Sequence, residues 1–162
     1  QACLRHLDAR HDLAKRPDLI EIAIWLHDAV YKPMSKKNEA NSAAMARNFL
    51  VGKLPDDDVE TVETMILLTQ NHGQTNDADT ALMLDIDLSI LATDDEVYDH
   101  YTQDIRREYR WIPGPMFRSG RAKMLRHFLA MDRIYKTEEL RRAWDAKARI
   151  NMARELTVMG LF

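Results

Sequence analysis

Along almost the whole chain, apolar residues recur three and four positions apart, and no stretch alternates between apolar and polar for long. The first spacing lines up side chains on one face of a helix, whereas the second is what a half-buried strand needs. The spacing therefore predicts an all-α protein. The prolines punctuate it. Pro17 suits the first turn of a helix reaching about residue 30, with Asp18 and Glu21 near its positive end. Pro33 blocks continuation, and a further helix is expected from about 38 to 51, ending near Gly52. Pro55 and Asp56-Asp57-Asp58 open the next, toward Gln70. Other helices are expected over about 78–91, from a cap at Thr93 or Asp94 to about 109, over about 117–130 after the break Ile112-Pro-Gly-Pro115, and from Thr137 to near Met159. Residues 1 to about 14 read as an amphipathic helical tail. The expected architecture is a compact single-domain bundle of seven or eight helices.

Composition narrows the function classes. A chain of 162 residues fits one domain with a real core, and 46% hydrophobic with 30% charged residues is ordinary for a globular protein. The net charge of −3 gives no bulk reason to bind nucleic acid or anionic membranes. Cys3 is the single cysteine, which excludes an intrachain disulfide and suits a reducing compartment. No apolar run approaches the roughly 20 residues that span a bilayer. A cytoplasmic location and no membrane partner are expected. The chain starts at Gln1 on residues that read as mid-helix, so the natural protein is expected to continue upstream.

Chemistry concentrates in a few positions. The apolar run Ile20-Glu-Ile-Ala-Ile-Trp-Leu-His-Asp-Ala-Val-Tyr31 ends in His27 and Asp28. In a helix, Ile20, Ile24, His27 and Tyr31 share one stripe, which puts an imidazole in line with core residues and a carboxylate beside it. Each needs a partner if buried, and a divalent metal satisfies both. For the pair taken alone, a helix C-terminus with the Asp turned outward is the commoner arrangement. Asp85 and Asp87 stand among apolar neighbours in Leu82-Met-Leu-Asp-Ile-Asp-Leu-Ser-Ile-Leu91, where a carboxylate asks for a cation, a cap or a metal. Asp87 is the stronger ligand candidate, and Asp85 is an alternative ligand or a group orienting a ligand histidine. His72 sits in a polar loop, and Glu39 at a helix start reads simply as a dipole carboxylate.

Taken together, His27-Asp28, Asn38-Glu39 with Ser42-Ala43, His72 and Asp85-Ile-Asp87-Leu88 resemble the HD-domain superfamily of metal-dependent phosphohydrolases. The chain is similar in particular to a bacterial branch sharing the strings Trp-Leu-His-Asp-Ala-Val-Tyr and Leu-Asp-Ile-Asp-Leu-Ser-Ile-Leu, and later Arg107-Glu108-Tyr109 and Gly120-Arg121 with Met124-Leu125. The likeness runs from about Leu19 to Thr137 and is more specific than the His-Asp pair. It implies an HD-type helical fold and a divalent metal (Mn, Fe, Ni, Co, Zn or Mg) on His27, Asp28 and Asp87. The superfamily's first ligand histidine precedes the pair, in a context that His6 and His11 do not match, so it is expected upstream of Gln1.

The implied activity is hydrolysis of a small phosphoester or nucleotide by a metal-activated water. Asp28 would orient the water or accept its proton. Glu39 or His72 would protonate the leaving group, with His72 alternatively a ligand or substrate contact. Arg118 and Arg121, three apart, are candidate phosphate contacts, though a basic face paired with acids is the commoner arrangement. The competing expectation is a catalytically incomplete helical module that binds a ligand or protein partner. A homo-oligomer is left open, and nucleic acid is disfavoured.

Overall fold

In the computed structural model, which describes residues 1–161, the described residues form eight α-helices and no strand. They are α1 (Ala2–Asp8), α2 (Pro17–Leu26), α3 (Asn38–Leu50), α4 (Asp56–Leu68), α5 (Ala78–Asp87), α6 (Asp95–Glu108), α7 (Gly114–Ala130) and α8 (Glu138–Val158). Short 3-10 turns at His11–Leu13 and Leu88–Ala92 follow α1 and α5. None of these helices is long and apolar enough to cross a membrane.

Three boundaries differ from expectation, each for a local reason. The second helix stops at Leu26 rather than near residue 30. Beyond it, Val30 N–H donates to Ser42 Oγ and Lys32 N–H to Asn38 Oδ1, both at 3.0 Å. Two α3 side chains thus capture amides that would otherwise continue the helix. The fifth helix tightens into a 3-10 turn after Asp87 instead of running to Leu91. The seventh begins at Gly114, because Pro113 caps it in extended conformation and Pro115 falls in its first turn, where a missing N–H costs nothing. Between α3 and α4 the chain turns at Gly52, whose φ of +76° suits a residue without a Cβ.

The described residues divide into two compact units, 1–87 and 88–161. In the first, α4 packs against α2 and α3, α5 packs against α2 and α4, and α1 lies on α2 and α5. Its centre is apolar and closed to solvent at Ile20, Ala23, Val62, Met65, Ile66 and Met83. The carboxylate of Asp79, on the first turn of α5, is buried and accepts the backbone N–H groups of Lys15 (2.8 Å) and Arg16 (2.7 Å). This clasp fixes the entry to α2. In the second unit, α8 packs on α7 and on the 88–92 turn. Asn151 Nδ2 donates to the carbonyls of Leu91 and Thr93, and Tyr135 Oη donates to that of Leu88. Leu125, Ile134, Leu140 and Met152 are fully enclosed.

Candidate functional site

His27 is the C-cap of α2, the last position the helix orients before Ser42 and Asn38 draw the chain aside. Asn38 holds Lys32 from both sides, accepting from its N–H and donating to its carbonyl at 3.0 Å. That explains why these two polar α3 side chains are buried, and it sets the direction in which His27 and Asp28 leave the helix. In the sequence, Asn38 and Ser42 stand out only as part of the family likeness. The signal that could have exposed their role is a pair of polar residues four apart on the core side of a helix.

Asp87 is the last residue of α5 and receives two imidazoles, one on each oxygen. His27 Nε2 lies 3.2 Å from Asp87 Oδ1, and His72 Nε2 lies 3.1 Å from Oδ2. Asp28 Oδ2 stands 3.4 Å from the same His27 Nε2, and Asp28 is the outermost member, with 71% of its side chain exposed. His72 reaches Asp87 from the loop after α4 with a φ of +49°, a left-handed conformation that only a few per cent of non-glycine residues adopt, histidine more often than most. Its backbone N–H still bonds the Leu68 carbonyl at 2.9 Å. Strain of this kind persists where the surroundings over-determine it and clusters at functional sites.

The protonation of His27 follows from its partners. Nδ1 lies 2.8 Å from the Ile24 carbonyl, which can only accept, so Nδ1 carries hydrogen. Nε2 then faces two carboxylates, and must carry either a proton or another cation. Burial works against the imidazolium, but the hydrogen bond to Asp87 and the charges of Asp87 and Asp28 outweigh it and raise the His27 pKa to about 9. Burial likewise opposes the Asp87 anion, and the bonds from His27 and His72 overcome this, holding its carboxyl well below the usual range. The Cys3 thiol donates to the Ile86 carbonyl at 3.8 Å, and burial, then the Asp87 charge, push its pKa up. Kept as a thiol, it is a poor ligand.

Two imidazole Nε2 atoms and carboxylate oxygens are a donor set that divalent transition metals take. Donors sharing one ion at about 2.0–2.2 Å stand about 3.0–3.5 Å from each other, an interval that also covers hydrogen bonds. The contacts here are pairwise, through Asp87 and His27. Among the described residues, no three His, Cys, Asp or Glu side chains are grouped so as to hold an ion in their present positions.

The remaining candidates lie elsewhere. Asp85 is wholly buried, and it is Asp87 that meets the imidazoles. Glu39 is on the first turn of α3, with no hydrogen bond or ion pair to the cluster among the described residues. His6 pairs with Arg10. Arg118 and Arg121 belong to the second unit, where Arg121 is buried and bonds both oxygens of Glu155 at 2.7 and 3.1 Å. No family model, no curated protein and no solved structure matches the chain.

Proposed function

We propose that this chain is a metal-dependent phosphohydrolase of the HD-domain type, acting on a small phosphoester or nucleotide. The observation that carries the reading is His27, whose Nδ1 is committed to a backbone carbonyl while Nε2 faces the carboxylates of Asp87 and Asp28. Ligand histidines are typically oriented this way, by a second hydrogen bond that fixes the tautomer. The strained His72, bonded to the same carboxylate, supplies a second imidazole. The donor chemistry fits a divalent ion held by His27, Asp28 and Asp87, with the His72 imidazole beside them. Such an ion, when bound, lowers the pKa of a water and offsets charge developing on phosphorus.

The chain's own residues divide the remaining work. Asp28, the member solvent reaches most easily, accepts the proton of the attacking water on a carboxylate oxygen. Asp87 holds both imidazoles in register. Of the two groups considered for the leaving oxygen, His72 stands in the cluster and delivers its proton from Nε2, which Asp87 orients.

Elemental analysis after loading with Mn, Ni, Zn or Mg tests this, on the native chain and on His27→Ala and Asp87→Asn variants checked for helicity. The expected result is about one equivalent of one ion in the native chain and none in the variants, with hydrolysis in a phosphoester panel falling at least about a hundredfold. No bound ion in the native chain with each metal supplied would overturn the reading and leave a helical binding module.

A further inference from the structure

The second unit contains a cavity of about 330 Å³ between α6, the start of α7 and the end of α8, lined by none of the His27, Asp28, His72 and Asp87 cluster. Pockets of about 300–1,000 Å³ are the usual seats of small molecules. Its walls combine apolar and cationic surface: Phe117, Val158 and Met159 on one hand, Arg106, Arg118 and Arg154 on the other.

The charges in this wall do not cancel. Glu155 is neutralised by Arg121, which bonds both its oxygens, and it also accepts from Tyr98 Oη at 2.7 Å. Asp99 is neutralised by Arg154 at 2.8 Å, and neighbouring Asp95 by Lys147. Two guanidinium groups are left over. Arg106 lies over the Phe117 ring and spends its hydrogen bonds on the carbonyls of Tyr109 and Ile112, which are neutral. Arg118 makes no hydrogen bond or ion pair with any described residue. It folds back over the first turn of α7, where a Cβ on Gly114 would stand 3.4 Å from one of its terminal nitrogens.

We propose that this cavity binds a small organic monoanion, a carboxylate joined to an aromatic or aliphatic body. The head group pairs with the guanidinium of Arg118 beside Arg106, and the body lies against Phe117, Val158 and Met159. Guanidinium forks match carboxylates in geometry. A dianion suits the site less well, because Arg106 has committed hydrogens on both terminal nitrogens to the Tyr109 and Ile112 carbonyls, which leaves Arg118, of the two, with a whole fork to offer a head group.

Titration of the full chain with phenylbutyrate, neutral phenylbutanol and phenyl phosphate, followed by the methyl resonances of Val158 and Met159, tests the assignment. Phenylbutyrate is expected to shift these methyls saturably, with phenylbutanol and phenyl phosphate weaker. Arg118→Gln, a change at an exposed and unpaired side chain, is expected to weaken phenylbutyrate binding about tenfold. The assignment falls if no saturable shift occurs at millimolar ligand, if the shifts map away from these residues, if phenylbutanol or phenyl phosphate binds as tightly as phenylbutyrate, or if Arg118→Gln binds it equally well.

Discussion

The imidazole of His27, set against two carboxylates, makes the first unit sensitive to pH in a way a solvated His-Asp pair would not be. The His27 pKa is raised from 6.5 to about 9, so its contribution to metal-free stability is complete below about pH 6.5 and is lost as pH rises through about 9. Urea midpoints in a chelating buffer should therefore fall between pH 7 and 9.5, and His27→Gln should flatten that fall. A metal competes for the same Nε2, so ion binding at pH 7.5 should release about one proton, seen as a buffer-dependent binding heat in calorimetry. Equal heats in buffers of different ionisation enthalpy would contradict this. His72 offers a separate check. In its left-handed conformation a β-branched side chain is strained more than alanine, so His72→Val should be about 1 kcal/mol less stable than His72→Ala in urea unfolding, although both lack the imidazole. How much was legible differs between these residues. His27 and Asp87 stood out because each interrupts an apolar run. The left-handed backbone of His72 left no comparable mark, since nothing but a following glycine hints at it.

At the scale of elements, most helix boundaries were legible, and the ends of α2 and α5 and the start of α7 were not. Pro17, Pro55 and the acidic first turns act on their own helices, so the start signals are local. The end of α2 is set twelve residues away by Ser42, and the clasp on Lys15 and Arg16 comes from Asp79. No local pattern encodes partners at such distances. The α7–α8 pairing is likewise tertiary. The basic run of α7 offered candidate phosphate contacts beside the commoner arrangement of pairing with acids, and Arg121, only 7% exposed, forms a fork with Glu155, which is 10% exposed. Breaking one side of such a pair leaves a buried charge. Arg121→Met should therefore cost about 3–5 kcal/mol, whereas Arg121→Met combined with Glu155→Met should cost much less. Chemical denaturation of the two variants separates these outcomes, and simple additivity would show that the pair is not coupled.

At the scale of the molecule, the all-helical class followed from periodicity alone, because a 3.6-residue repeat cannot be satisfied by a sheet. The division at Asp87–Leu88 left no trace of the kind that marks a linker. It falls inside the run Leu82–Leu91, with no proline, glycine or change in polarity, at the point where an α-helix tightens to 3-10. The Asp79 clasp has a consequence in time rather than in space. Lys15 and Asp79 are 64 positions apart, so the ribosome must add some sixty residues after Lys15 before its partner exists. At about 5–20 residues per second that interval is about 3–13 s, during which α1 and the apolar side of α2 have no α5 to rest on. Nascent chains arrested before Asp79 should be cut by protease around residues 9–16, and chains arrested well beyond Asp87 should resist. A chain that resists at both lengths would show that its beginning settles before its clasp is made.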